Sequence, residues 1–285
     1  TAELGLAFLP KLQDIQYVIR MHGGHHFFAK AEQRLTEWWK VFQEKRSFRK
    51  ADHILAVSHY VAETTRTLLH LGNRAIQVIY NPIDVNRFYE CDVHKIQKHS
   101  IFFAGSIVEK KGIRQLVQAL HYLVEEFPDV HLYIAGKDGK LPGTNAPYRP
   151  VLEKEITGAI KSHITFLGVV PNTEISTYIE RAEVCCYPSH MEAMPLAWLE
   201  VLAMGKSFVA SCTGPGPEAV TDNETGLLAD PHDPEDIAKK IRTQFHFPDK
   251  AIEMGKLARK KVITDFNLAT IVGKNIEVYA KLLKK

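Results

Sequence analysis

Ser189 to Gly205 reads SHMEAMPLAWLEVLAMG, with Glu192 and Glu200 eight positions apart on either side of Pro195. The run before it, Glu183 to Tyr187 (EVCCY), is short and apolar and stops at Pro188, the pattern of a buried parallel strand ended by a turn residue. A helix should open at that strand's carboxyl end. Pro195 suits the first helical position, where a missing N–H removes no hydrogen bond, and Leu196, Leu199, Val201, Leu202 and Met204 carry a mostly buried helix to Gly205. Glu192 then falls in the loop and Glu200 on the helix. An open α/β sheet binds ligands at this edge, because unpaired amides and the helix dipole favour an anion such as phosphate. A loop carboxylate there can receive hydroxyls. Glu200, deeper in, needs a partner such as a ribose diol, because a lone buried carboxylate is expensive.

Outward from this run, strand-like segments alternate with helical periodicity, the pattern of parallel sheets with crossover helices and hence an α/β fold. The opening TAELGLAFLPKLQDIQYVIR reads as a helix feeding a strand. Early strands are expected at Gln16 to Met21, His53 to Val57 and Ile76 to Tyr80, with helices near 29–49 and 59–71. Residues 82–99 are polar and mixed and suit a linker. A second sheet is expected from Ile101–Ala104, Val130–Ala135, Ile164–Leu167, Val184–Tyr187, Ser207–Ala210 and Gly226–Ala229, forming a Rossmann-like nucleotide-binding domain. Helices follow Pro234, broken at Pro248 and near Asn267.

The 285 residues are 45% hydrophobic and 24% charged with net charge +3, an ordinary globular composition long enough for two cores. No apolar run approaches the ~18 to 20 residues that cross a bilayer, and no signal-peptide layout opens the chain. A cytoplasmic protein is expected, peripheral to the inner face of the membrane if Lys30 to Lys50 docks there. Cysteines 91, 185, 186 and 212 lack zinc-site spacing and read as reduced core residues. Gly214-Pro215-Gly216 lacks the donors and the third glycine of a dinucleotide fingerprint, so no NAD site is expected. No nucleic-acid recognition module accompanies the basic residues.

The Glu-x7-Glu arrangement resembles the signature of retaining glycosyltransferases of the GT-B fold, family 4. The resemblance extends through IFFAGSIVEKKGIRQLVQAL from Ile101, ITFLGVVPNTEISTYIERAEVCCYPS from Ile164 and GPGPEAVTDNETGLLADP from Gly214. Upstream, RMHGG at Arg20, ADHILAVS at Ala51 and VIYNPIDVNRF at Val78 look like the end of the family's acceptor-side domain. It implies two Rossmann-like domains facing across a cleft: residues 1–94, a partial and apparently truncated acceptor-side domain with linker; 95–265, the donor domain; and 266–285, a helix crossing back. The implied activity is transfer of a sugar from a nucleoside diphosphate to a glycan or lipid-linked acceptor, as in cell-surface polysaccharide biosynthesis. The nucleotide sugar is the substrate, and no cofactor is implied.

That resemblance assigns Lys111, with Gly105 and amides near Gly112, to the diphosphate; Val169 and Val170, after Gly168, to the base; Glu200 to the ribose; and Glu192 to donor-sugar hydroxyls beside the anomeric carbon. His22, emerging at a strand tip before two glycines, would meet donor sugar or acceptor. Two departures stand out. Ser106 replaces a usual arginine, so its hydroxyl supplies no charge and Lys110 or Arg114 would have to substitute, or the donor is held more weakly. Ala193-Met194-Pro195 replaces a usual Gly-aromatic-Gly, leaving the backbone of Met194 and Leu196 to face the donor and putting sugar specificity in doubt.

Alternatives remain on the residues themselves. Lys111 reads equally as a solvated lysine, Glu200 as a salt-bridged helix carboxylate and His22 as a satisfied core histidine. A glycosidase pair requires carboxylates about 5 Å apart, which one loop and one helical position serve poorly. His22, His25 and His26 suit a transition metal by type but lack an acidic or cysteine partner nearby, and no Asp-x-Asp occurs, so metal-independent transfer is expected. Lys30 to Lys50, with Trp38, Trp39, Phe42 and Phe48, reads as a membrane-surface or acceptor-docking helix, or as one packing its aromatic face on the first sheet. A non-catalytic sugar-nucleotide binding module is the competing function.

Overall fold

The computed structural model describes residues 5–31, 35–141 and 144–283. The chain forms two compact units, 1–82 with 192–194 and 268–285, and 83–191 with 195–267.

The first unit holds a parallel sheet ordered β1 (Val18–Met21), β2 (His53–Ala56), β3 (Gln77–Val78). Register runs Val18 to His53 and Leu55 to Gln77. Helix His59–Leu69 starts where the Ser58 hydroxyl accepts from the Val61 amide at 3.1 Å and stops at left-handed His70. Leu55 and Ile79 form a core with Ile271, Val278 and Leu282 of helix Leu268–Leu283. Arg20 fixes that helix from β1, donating to Asn275 Oδ1 at 2.6 Å.

Three expectations are corrected in this unit. Gly5 is helical and residues 1–4 lie outside the described residues; from Leu6 to Tyr17 the chain is turns and loop, so no helix continues through Pro10 to the strand. The single helix expected near 29–49 becomes His25–Ala31 and Trp38–Lys50, with residues 32–34 outside the described set. The second helix also turns Trp38, Trp39 and Phe42 outward, with only Phe48 of its four aromatics packed inward. Glu44, Ser47 and Phe48 are buried, while Trp38 is 80% and Phe42 55% exposed. The cause is Glu44, whose carboxylate lies against Gly24 and accepts from the His26 amide at 3.2 Å, turning the aromatic side outward.

The second unit is a six-stranded parallel sheet ordered β6 (Ile164–Gly168), β5 (His131–Ala135), β4 (Gln97–Ala104), β7 (Ala182–Tyr187), β8 (Phe208–Ser211), β9 (Leu227–Ala229). Strand order reverses between β4 and β7, and the carboxyl ends of these two strands mark the switch point at which open α/β sheets receive ligands. The inner strands are buried along nearly their whole length, as expected of a sheet covered on both faces. β4 begins at Gln97, inside the polar stretch expected to be linker. A register shift at its start, with His99 at φ 54°, lets polar residues join the ladder ahead of the apolar run. Cys185 and Cys186 are buried and reduced as expected, whereas Cys212 is exposed at the mouth of the loop after β8. Among the described residues, no helix is long and apolar enough to cross a membrane.

Candidate functional site

Three glycines lace the carboxyl ends of adjacent strands. Gly105 N donates to Ala135 O at 2.9 Å and Gly136 N to Gly168 O at 2.7 Å. The backbones at Gly105 and Gly136 approach so closely that a Cβ on Gly136 would sit 1.8 Å from Gly105 O. Gly136 was absent from the expected site, although LYIAG repeats the strand-glycine pattern of IFFAG and ITFLG.

After Gly105 the chain exposes Ser106 and makes a tight turn over Glu109–Lys111, and left-handed Gly112 (φ 67°) opens helix Ile113–Ala119. Lys111 thus ends the turn that precedes the helix. Its amide and that of Gly112 donate within the turn, to Val108 O at 3.1 Å and Glu109 O at 2.9 Å. The expectation that amides near Gly112 serve an anion is therefore corrected for these two. The half-buried Lys111 side chain runs back over the glycine turn, with Cδ 3.9 Å from where a Gly105 Cβ would be.

Glu109 shapes this turn. Arg114 donates to it from Nε at 3.0 Å and Nη2 at 2.7 Å, Gln115 at 3.2 Å, and Tyr148 through its hydroxyl. Burial alone would raise the Glu109 pKa, but these donors and the Arg114 charge hold it down to about 2. Arg114, expected as a substitute cation for an anion, is committed to this carboxylate. The depressed pKa means the network stabilises the fold above the ordinary value of 4.5 and loses that contribution as pH falls toward about 2. Glu109→Gln should cost about 2 kcal/mol, reduced for partial solvent access, and flatten the acid limb of a thermal-melt profile between those values.

The loop after β7 is fastened to the turn. Gly112 presses on Pro188, His190 N donates to Lys110 O at 2.9 Å, and His190 Nε2 meets Gln115 Oε1 at 3.2 Å. Burial, then His232, lowers the His190 pKa. Helix Leu196–Ala203 follows, with Pro195 as its extended cap (ψ 132°) and not its first residue, a correction of one position that leaves the proline's missing N–H harmless. Leu196 is exposed at its start, and Glu200 is half-buried. Among the described residues the Glu200 carboxylate has no hydrogen-bond or ion-pair partner; desolvation raises its pKa, and Arg87 opposes the rise. The salt-bridged reading of Glu200 therefore fails. Arg87 acts on Glu200 electrostatically across more than a hundred positions of sequence, which no local pattern signals. Gly168 and Val169 are exposed after β6, and Val170 is half-buried.

The remaining candidates belong to the first unit. His22 follows β1 and is exposed, not a buried core histidine; partial desolvation of its ring, then Arg20, lowers its pKa. Glu192 is half-buried and Met194 fully buried. Ser58 Oγ donates to Ala193 O at 2.6 Å and Asn81 Nδ2 to Met194 O at 2.9 Å. The side chain of Met194 thus packs inward while its carbonyl is held, and Asn81 emerges as a positioning residue signalled only by its place before Pro82.

Curated relatives include alpha-maltose-1-phosphate synthase of Mycolicibacterium smegmatis, 28% identical over 84% of this chain and 65% of that protein. Glycogen synthase of Mycobacterium tuberculosis is 26% identical over 81% of this chain and 54% of that protein. The chain therefore spans between about half and two thirds of their length. Among solved structures, sucrose-phosphate synthase from Thermosynechococcus elongatus superposes with TM-score 0.80 at 22% identity, covering 95% of this chain and 68% of that one. Anabaena HepE, solved in complex with UDP and glucose, gives TM-score 0.78 at 20% identity, over 93% and 72%. These likenesses, with the parallel sheets, identify the fold as GT-B. Residues 2–87 match Glycosyltransferase Family 4. Residues 92–261 match Glycosyl transferases group 1, and the chain belongs to that family.

Proposed function

We propose that this chain carries the donor site and acceptor-side residues of a glycosyltransferase that moves a sugar from a nucleoside diphosphate to a hydroxyl acceptor with retention and without a metal. The acceptor class is a glycan or lipid-linked sugar on the cytoplasmic side, in cell-surface polysaccharide synthesis. One observation carries the reading: Glu200, half-buried and without a side-chain partner among the described residues, at the edge where strand order reverses. An accepting carboxylate there is matched by a ribose diol. The UDP bound by the HepE structure supports a nucleotide at the corresponding fold position.

In this reading Lys111 and the Ser106 hydroxyl take the diphosphate beside Gly105, and the exposed turn at Val169 and Val170 takes the base. Glu192 meets donor hydroxyls and offsets positive charge at the anomeric carbon. His22, neutral at ordinary pH because its pKa is lowered, is able to accept a hydrogen bond from sugar or acceptor. The reaction needs a held leaving group, a steadied oxocarbenium-like sugar and an acceptor hydroxyl on the same face, so positioning and electrostatics dominate.

Calorimetry with UDP, GDP and ADP tests the site directly. Glu200→Gln should weaken the preferred nucleotide about 10- to 100-fold, as expected for a hydrogen bond to a charged group. Wild-type affinity should also fall as pH is lowered through the raised Glu200 pKa, more steeply than in the variant. Equal affinity and equal pH profiles would remove Glu200 from the site. Nucleoside diphosphate release from labelled nucleotide sugars, lost in Glu192→Ala, separates transfer from a non-catalytic binding module.

The outward Trp38, Trp39 and Phe42, beside Lys40, Lys45 and Arg49, support peripheral contact with an anionic lipid surface. Trp38→Ala with Phe42→Ala should abolish sedimentation with phosphatidylglycerol vesicles. Unchanged sedimentation would retire this contact.

A further inference from the structure

A cavity of about 300 Å³ opens at the opposite, amino-terminal edge of the six-stranded sheet, wholly within the second unit. Its walls come from the segment before β4, the start of β8 and the first turns of helix Pro248–Asp265. Val93, Ile96, Ala251 and Ile252 give it an apolar body, and Lys98 and Lys256 stand exposed among its lining residues.

Lys206 also lines this cavity, and it is only 3% exposed. Its ammonium donates once, to Glu180 O at 3.0 Å, and has no ion-pair partner among the described residues. The Glu180 carboxylate is occupied elsewhere, by Lys95 at 3.0 Å and the Asp92 amide at 3.3 Å. Glu183, the other acid nearby, receives the His99 amide, and burial raises its pKa, which weakens it as a counter-charge. Desolvation correspondingly lowers the Lys206 pKa. A buried ammonium with two spare N–H donors and no counter-ion is an expensive arrangement. A ligand that brings a negative group to Lys206 and lays a short hydrocarbon along the apolar wall resolves it.

We propose that this cavity binds a small amphipathic carboxylate: one anionic head at Lys206 and an aliphatic body of a few carbons against Val93, Ile96 and Ile252. The lining carries three lysines against Glu90 and Glu183, so the balance of charge favours an anion over a cation. The volume holds one chain of modest length rather than a sugar nucleotide, which separates this site from the one at the carboxyl edge.

Titration of the whole chain with octanoate tests it, followed by calorimetry and by thermal melting, with octanol as the neutral comparison. Octanoate should bind on the order of 1 mM or tighter, given its size, and at least about 10-fold more tightly than octanol. Lys206→Met should erase the preference for octanoate over octanol. Ile252→Trp, which fills the half-buried wall and leaves Lys206 in place, should remove binding of both while UDP affinity is retained. Absence of octanoate binding to the folded wild type, or unchanged octanoate affinity in both folded variants, would overturn the assignment. Should Lys206→Met fail to fold, Ile252→Trp and the octanoate-to-octanol ratio decide alone.

Discussion

If the proposed transfer holds, Lys111→Ala should lower its kcat/KM by about 100- to 1,000-fold, the usual loss when one preorganised group facing developing negative charge is removed. The effect should fall mainly on kcat. Charge on the leaving diphosphate grows as the glycosidic bond breaks, so a fixed cation gains most at the transition state. Two features of the turn make Lys111 hard to replace. Arg114 is held by Glu109 at 2.7 Å, and Ser106 brings no charge to the neighbouring position. The half-buried lysine sits on a turn held by backbone bonds, so the variant should melt close to wild type. A wild-type kcat in a folded Lys111→Ala protein would remove this residue from the diphosphate site.

Gly112→Ala should be among the most damaging single-methyl additions in the second unit. The added Cβ would lie 1.8 Å from Pro188 O, and φ of +67° strains any L side chain. The two nearest atoms, O and C of Pro188, are backbone, so no flexible side chain can yield to it. A loss above about 3 kcal/mol is expected, lowering Tm by roughly 6 to 12 °C for a unit of this size. Gly72 supplies the control. Its φ is +58° but nothing lies within 4 Å of its Cβ position, so Gly72→Ala should cost only about 1 to 2 kcal/mol of conformational strain. Equal losses in the two variants would show that backbone conformation, and not the Pro188 contact, sets the value at Gly112.

The layered α/β plan was legible because each buried strand and its following helix are local features. EVCCY stopped at Pro188 and the apolar LAWLEVLAM after Pro195 announce the β7 turn and the Glu200 helix within a single short window. Features created by distant pairing were not legible. The polar start of β4 depends on Ala182, to which Gln97 pairs. The outward aromatics of helix Trp38–Lys50 depend on Glu44 reaching the backbone near Gly24, a preference no hydrophobic periodicity encodes. Arg114 reads as an available cation by position alone; Glu109, which also accepts from Tyr148, claims it through contacts that close only on folding. Within the site, residue types were easier to name than their environments: Glu200 was chosen from spacing, while its lack of a side-chain partner emerged only in three dimensions.

Ser58 and Asn81 seize carbonyl oxygens of the 193–194 peptide units, not their side chains. The path of that short stretch is consequently indifferent to what is written at Ala193. A library randomised there should keep its scaffold while varying the chemistry offered beside Glu192, making this residue a natural dial for the sugar preference of the proposed transfer.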